Sequence, residues 1–145
     1  MIRLSTIARD PVPAPAPGLL EATIDVNGTA VRVFNTHLDY RADPRVREQQ
    51  VKEMLTYMGD PAGPTLVIGD LNATPDAPEL QPLLQRLRDI WESKAEAGFT
   101  YPADKPAKRI DYVLASRHFR VRSASVPATE ASDHLPVLVD LMLDP

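Results

Sequence analysis

The sequence contains no cysteine, which excludes disulfide bonds and thiolate metal sites. Any bound metal ion must therefore be held by oxygen or imidazole ligands. No segment approaches the ~18 consecutive apolar residues that a transmembrane helix needs. The first residues lack an apolar core followed by a cleavage site, so no signal peptide is visible. These absences predict a soluble protein and leave its compartment unknown.

An excess of basic residues is also missing. The chain has 16 basic and 20 acidic residues, a net charge of −4, which argues against binding long duplex DNA through many phosphate contacts. A phosphate-bearing substrate is still compatible, because a bound divalent cation can supply positive charge locally. Neither a Gly-x-Ser-x-Gly motif nor a glycine-rich phosphate loop is present, which argues against a serine hydrolase and a P-loop site.

The residues that are present suit one domain of ordinary size. The 145 residues are 43% hydrophobic and 25% charged, as in soluble globular proteins. Prolines alternate with other small residues over positions 11–17, a pattern that favours polyproline II and prevents a sheet ladder. We therefore predict a proline-rich leading segment over residues 1–18 and a packed domain over residues 19–145.

The hydrophobic pattern predicts a layered α/β sheet with mixed pairing. Residues 20–26 and 29–35 alternate and flank Asn27-Gly28, the strongest short signal of a β-hairpin. A helix that begins at Asp43-Pro44 is predicted next. Five further elements follow it: a strand at 65–69, a helix beginning near Glu79, and strands at 110–115, 120–126 and 135–141. A long polar loop at 92–108 separates the second helix from the last three strands.

The first predicted helix begins at Asp43-Pro44, with Asp43 as N-cap and proline in the first position. An apolar stripe at helical spacing runs from Val51 to Met58 and faces a core, and Gly59 ends the helix. Arg45 and Arg47 are interpreted as part of a solvated helix face rather than as a phosphate clamp. In the second helix, Asp76 and Glu79 resemble a capping box.

Polar residues interrupt or follow the predicted strands in four places. If the four meet at one edge of the sheet, carboxylates, two imidazoles and amides form a site whose oxygen ligands suit Mg²⁺ or Mn²⁺. The four places are Asn35-Thr36-His37-Leu38-Asp39, Gly69-Asp70-Leu71-Asn72, Arg109-Ile110-Asp111-Tyr112 and Ser132-Asp133-His134-Leu135-Pro136.

Each place also has a structural interpretation. Asp70 with Asn72 can form an Asx-type turn after a strand, and Asp133-His134 can be an ordinary turn before one. His37 is equally compatible with a hydrogen-bonded structural histidine. Asp111 is harder to explain in this way, because a buried carboxylate is unfavourable unless it is paired, and His134 is the candidate partner.

In this order and approximate spacing, the four motifs resemble those of the endonuclease/exonuclease/phosphatase superfamily, which includes DNase I-like nucleases, sphingomyelinases and deadenylases. The resemblance extends over residues 19–143. It implies a four-layer α/β sandwich with mixed, largely antiparallel sheets. It also implies a hydrolase that cleaves phosphoester bonds with a divalent metal ion, usually Mg²⁺.

The resemblance assigns roles to individual residues. Asp70 would orient or deprotonate the attacking water, and Asn72 would hold this water or a phosphate oxygen. Asp111 would pair with His134, which would contact the phosphate and stabilise charge in the transition state. The other assignments are Asp133 as a metal ligand, His37 and Asn35 as phosphate contacts, and Asp39 and Arg109 as further site residues.

One part of the family pattern is missing. Family members are usually about 250 residues or longer, and their first half carries a strand ending in Asn and a Gln-Glu pair whose Glu ligates the metal. Neither is found here, so we expect the C-terminal half of the fold, with one sheet face uncovered and open to self-association or to a partner that supplies the rest.

Two functions are therefore considered. The first is a Mg²⁺-dependent phosphoesterase of the phosphodiesterase, nuclease or phosphatase type. The second is a non-catalytic fragment or descendant of the fold that binds a phosphate ligand or a partner protein. The substrate is left open among nucleotides, nucleic acids, phospholipid head groups and sugar phosphates.

Overall fold

Two layers of strands and one layer of helices make up the fold. The computed structural model describes residues 1–4, 17–91, 94 and 96–144. The strands in this part of the chain are β1 (Ile2–Arg3), β2 (Gly18–Val26), β3 (Thr29–His37), β4 (Thr65–Asp70), β5 (Arg88–Asp89), β6 (Asp111–Ala115), β7 (Phe119–Ser125) and β8 (Leu138–Leu143). The helices are α1 (Arg45–Met58) and α2 (Gln81–Leu84), the latter preceded by a 3₁₀ helix (Pro78–Leu80).

The larger sheet has six strands in the order β1-β2-β3-β4-β6-β5, and β7 and β8 form a separate antiparallel pair. β3 and β4 are parallel, with α1 in the crossover between them, whereas the other neighbours are antiparallel. The predicted mixed, largely antiparallel sheet is confirmed. The hairpin is confirmed as well: Asn27 and Gly28 have φ values of 52° and 85°, as a type I′ turn requires.

Helix α1 forms where the pattern predicts it, with a small shift at its start. Its first helical residue is Arg45, and Pro44 is the flanking residue. Asp43 still caps this end, since its Oδ1 accepts a hydrogen bond from the Arg45 amide at 3.1 Å. The stripe is buried, with Met54 fully inaccessible, and Gly59 ends the helix with a φ of 65°.

Two local predictions need correction. The second helix is only a 3₁₀ turn followed by a single α turn, and Glu79 forms a buried ion pair with Arg47 instead of a capping box. The last strand begins at Leu138 rather than 135, because the Leu135 amide donates to the Thr100 carbonyl and Pro136 has no amide to donate to a ladder.

The six-stranded sheet has a different core on each of its faces. On one face it packs against the helices, in a cluster that includes Phe34, Val67 and Met54. On the other face it packs against β7 and β8, through a smaller cluster that includes Val31 and Phe119. Part of this second face is uncovered and exposes the large side chains of Leu20, Ile24 and Val26 on β2. The outer face of β8 exposes Leu138 and Met142.

Most of the predicted leading segment, residues 5–16, lies outside the described residues. Its first residues belong to the packed domain, because Ile2 and Arg3 pair with β2 and Leu4 is buried. The packing therefore includes chain ahead of the predicted boundary at residue 19. In the described ranges, no helix is long and apolar enough to cross a membrane.

Candidate active site

Three adjacent strands bring titratable side chains together at the carboxyl end of β4. His37 is opposite Asp70 in the parallel β3–β4 pair, and Asp70 is opposite Asp111 in the antiparallel β4–β6 pair. By strand alternation, Asp111 shares the face of Val113, which packs in the cluster with β7 and β8. The site thus lies at the edge of the face that is only partly covered.

Gly69 allows β3 and β4 to approach closely just before Asp70. A Cβ atom at this position would lie 1.9 Å from the Thr36 carbonyl oxygen, and the backbone φ is +130°, a value that L side chains rarely adopt. The Gly-Asp pair is therefore explained by the packing of the strands. The glycine leaves room for the Thr36 backbone of β3, and the following aspartate lies beside His37.

Asp70, Asp111 and His134 form a compact cluster. His134 Nδ1 lies 2.9 Å from Asp111 Oδ2, and His134 Nε2 lies 4.0 Å from Asp70 Oδ2. His37 Nε2 approaches the same Asp70 oxygen to 3.5 Å. The partner that the sequence requires for the partly buried Asp111 is therefore His134, contributed by the segment before β8.

The cluster shifts the pKa values of two of its members. Burial raises the pKa of Asp70, and the nearby Asp111 carboxylate adds to this, while a hydrogen bond from the Asn72 amide and the two histidines oppose it. Partial burial lowers the pKa of His134, but its hydrogen bond with Asp111 and the surrounding carboxylates outweigh that effect and leave the pKa raised. The cluster thus favours an imidazolium at His134.

Asn72 forms hydrogen bonds with the end of β4 and with the residue that follows β3. Its amide donates to Asp70 Oδ1 at 2.8 Å, which is the Asx-type turn, and its Nδ2 donates to the Leu38 carbonyl at 2.9 Å. The residue has a φ of 50°, a left-handed conformation that asparagine tolerates. The turn and the site are therefore one feature, because the same bonds that form the turn orient Asp70.

His134 lines two clefts. The first, of about 580 Å³, is also lined by Asn35, Asp111 and Ser132. The second, of about 710 Å³, is lined by His37, Asp70, Asn72, Tyr101 and Asp133, among others. Asn35 and Asn72, which the resemblance places in one site, thus lie in neighbouring clefts.

Two residues assigned by resemblance are engaged elsewhere. Asp39 is buried, and both its carboxylate oxygens accept hydrogen bonds from Arg41. Arg109 forms a buried ion pair with Asp89 at 2.7 Å, and its guanidinium lies over the Tyr112 ring. Both side chains are therefore engaged in contacts beside the site and do not line either cleft.

The donor set is compatible with a hard divalent cation. Asp70, Asp111 and His134 each offer a ligand atom, and these atoms lie within 4.8 Å of one another. Mg²⁺ and Mn²⁺ prefer oxygen ligands, so the two carboxylates are the better ligands, and a cation between them would offset the burial that raises the pKa of Asp70. Asp133 is exposed, accepts a hydrogen bond from the Ser132 hydroxyl, and lies on the cleft wall.

Sequence reasoning missed the support beneath the site. Arg47, interpreted above as solvated, is 6% exposed and donates to Glu79 and to the Asp39 and Arg41 carbonyls. A signal was present, because Arg47 is four residues before Val51 and so falls on the buried stripe of α1. A charged residue on such a stripe indicates a buried partner.

The chain belongs to the Endonuclease/Exonuclease/phosphatase family, which matches residues 3–134. Its curated relatives include a UPF0294 protein of Vibrio vulnificus (strain CMCP6), which is 26% identical in an alignment of length 137 that covers 89% of this chain and 45% of that protein. The family predicted from the four motifs is therefore confirmed.

Solved structures share the fold. The catalytic domain of human Nocturnin with bound sulfate anion has a TM-score of 0.75 at 22% identity, covering 99% of this chain and 57% of that one. The endonuclease/exonuclease/phosphatase from Beutenbergia cavernae DSM 12333 has a TM-score of 0.68 at 28% identity, covering 88% and 40%. The chain thus spans about half the length of the proteins it matches.

Proposed function

We propose that this chain carries the acidic and histidine side of the site of a divalent-metal-dependent phosphoesterase. The observation that supports this proposal is the convergence of Asp70, Asp111 and His134 at the ends of two neighbouring strands and the following segment. The family gives the class of reaction, and the cluster gives the groups that such a reaction needs.

In this proposal Asp70 orients or deprotonates the water that attacks phosphorus in line. Its position beside two histidines keeps the carboxylate close to where the phosphoryl group would bind. Asn72 holds Asp70 in place through its amide and can hold a phosphate oxygen.

The histidines have the complementary role. His134, kept protonated by Asp111, contacts the phosphoryl oxygens and stabilises the negative charge that develops on them. His37 contacts the phosphate or assists the leaving group. A bound Mg²⁺ or Mn²⁺ would add charge neutralisation, and the residues that would hold it are Asp70 and Asp111, with Asp133 nearby.

The test is hydrolysis of bis-p-nitrophenyl phosphate in Mg²⁺ or Mn²⁺. The chain spans about half of its relatives, so we assay it alone and fused to the unmatched part of the Vibrio relative. We expect little or no turnover from the chain alone, and metal-dependent turnover from the fusion. Asp70→Ala should abolish the activity of the fusion, as should EDTA.

The matched control is Asp60→Ala, which removes another aspartate whose side chain is 92% exposed and pairs with Arg86. This variant should keep the rate of the fusion. A rate that persists in EDTA, or one that Asp70→Ala leaves intact, would contradict the proposed mechanism.

The second candidate is a domain that binds a phosphate ligand without turnover. It is favoured by the small number of carboxylates: in the described part of the chain, the metal-binding cluster contains only two, and Mg²⁺ relies on such ligands. Phosphate binding by the fusion, measured by calorimetry, without hydrolysis of any phosphoester would support this candidate and contradict the first.

A further inference from the structure

The wall of the larger cleft is built from a short hairpin that the sequence pattern leaves as a loop. Tyr101 and Lys108 exchange backbone hydrogen bonds of 3.0 and 2.9 Å, which close the hairpin. The hairpin is also tied to the segment that carries His134, through Ala103 N to Asp133 O at 2.8 Å and Leu135 N to Thr100 O at 2.7 Å. Tyr101 therefore has a fixed position relative to His134.

The Tyr101 side chain lies directly beside the proposed phosphate-binding histidine. The centroids of the Tyr101 and His134 rings are 4.7 Å apart, with the planes inclined by 44°. Tyr101 is only half-buried, and it lines the cleft that contains Asp70 and Asn72. A group esterified to a phosphate at His134 would therefore meet an aromatic ring as its first neighbour.

A second tyrosine, Tyr40, lines the same cleft and is 73% exposed. It follows Asp39, whose amide donates to Gln50 and whose carbonyl accepts from Arg47, and it precedes Arg41, whose carbonyl also accepts from Arg47. The backbone on both sides of Tyr40 is therefore held by α1. The Arg41 guanidinium lies over the Tyr40 ring, 5.6 Å from its centroid, so the opposite face of this exposed ring is the one available for a ligand.

Tyr57 shows the contrast. It is also exposed, at 48%, but its hydroxyl donates to Glu21 and its ring packs edge-on against Phe34. It therefore has a structural role and does not line the cleft. Lys108, at the rim of the cleft, adds a cation beside the two tyrosines.

We propose that Tyr101 and Tyr40 form a binding subsite for a ring-bearing group of the phosphoester substrate, a nucleoside base or a sugar ring, rather than for a flexible acyclic alcohol. This proposal rests on the proposed function for the position of the phosphate. A base presents a flat π face to an aromatic side chain, and a sugar ring presents a face of C–H groups, so either can pack against these tyrosines.

The experiment measures binding rather than turnover, so that it does not depend on catalysis. Calorimetry with Mg²⁺ present determines the Kd of adenosine monophosphate, glucose 6-phosphate and glycerol 3-phosphate for the chain and for Tyr101→Ala, Tyr40→Ala and Tyr101→Phe. At least one ring compound should bind about tenfold more tightly than glycerol 3-phosphate. Tyr101→Ala should reduce this ratio most, Tyr40→Ala should reduce it less, and Tyr101→Phe should keep it.

Tyr57→Ala is the matched control and should keep the ratio unchanged. A preference for adenosine monophosphate alone identifies a base subsite, a preference for glucose 6-phosphate alone identifies a sugar subsite, and either result supports the proposal. Equal Kd values for the three compounds, or equal weakening of all three by Tyr101→Ala, would overturn it. Ring-dependent binding by the chain would keep the subsite even if the fusion hydrolyses no phosphoester, a result that would contradict only the proposed reaction.

Discussion

The ionised form of Asp70 destabilises the folded chain. Burial and the neighbouring Asp111 carboxylate raise its pKa above the ordinary 3.8, so the ionised side chain is less stable in the folded chain than in the unfolded one. A residue retained at such a cost is typical of functional sites, where stability and activity conflict.

We therefore expect Asp70→Asn to stabilise the protein at pH 7, while removing the proposed base. Because the folded pKa is raised, the folded state binds the proton more readily, and the destabilisation is complete above the folded pKa and absent below the unfolded value of 3.8. The stability difference between Asp70→Asn and the parent chain should thus shrink as the pH falls towards 4. Urea unfolding at several pH values measures it, and a less stable Asp70→Asn at pH 7 would contradict the interpretation.

Gly69 gives a prediction with a matched control in the same chain. Gly69→Ala places a Cβ against the Thr36 carbonyl at a positive φ, so it should lower the free energy of unfolding by about 3 kcal/mol or more. Gly63→Ala meets no atom within 4 Å and should change it by about 0.5 kcal/mol or less. Thermal or urea unfolding of both variants provides the comparison. Equal free energies of unfolding would contradict the prediction, because they would mean that β3 and β4 can move apart without destabilising the fold.

At the scale of elements, α1 both covers the sheet and supports the site. Its apolar stripe could be predicted from the sequence, because helical spacing depends only on neighbours along the chain. The partners of its polar side chains could not, since the Glu79 partner of Arg47 lies 32 residues away, in the 3₁₀ helix Pro78–Leu80. The same limit applies to the hairpin of Tyr101 and Lys108, which depends on the Asp133–Leu135 segment.

Two arginines of α1 allow the buried pair to be tested. Arg47→Met leaves Glu79 buried without its partner and removes the donor to the Asp39 and Arg41 carbonyls, so we expect a loss of about 3–5 kcal/mol of folding stability. Arg45→Met breaks an exposed pair with Asp43 and should leave the free energy of unfolding almost unchanged, because solvent screens exposed pairs. Urea unfolding of both variants measures this, and similar losses would mean that the Arg47 pair is not the support of the loop.

At the scale of the whole molecule, the motifs predicted which strand ends would meet, but not how the strands are ordered. Asp70, Asp111 and His134 could be grouped because each of them lies at or near the end of a predicted strand. Ionisable side chains at the ends of several strands indicate that these ends meet in one site. The parallel pairing of β3 with β4 could not be derived, since it depends on where α1 returns the chain. The separate β7–β8 pair and the uncovered face beside it are likewise properties of the assembled sheets.

The uncovered face exposes large apolar side chains where soluble proteins usually expose polar ones. Leu20 and Ile24 on β2 are 48% and 49% exposed. A groove of about 490 Å³ between β2 and β8 is lined by apolar residues that include Ile24 and Leu141. Apolar patches of this kind promote association between copies or with another polypeptide.

We therefore expect the chain to self-associate as its concentration rises, and Ile24→Glu to reduce that association. The carboxylate would be desolvated in any contact that covers β2, whereas in the monomer it stays in water, so the stability loss should be about 1 kcal/mol or less. Thr23→Glu is the control, because Thr23 is exposed on the opposite face of the same strand. Light scattering coupled to gel filtration measures the mass of each. A parent chain that stays monomeric at every concentration, or a Thr23→Glu variant that dissociates as readily as Ile24→Glu, would place the association elsewhere than on this face.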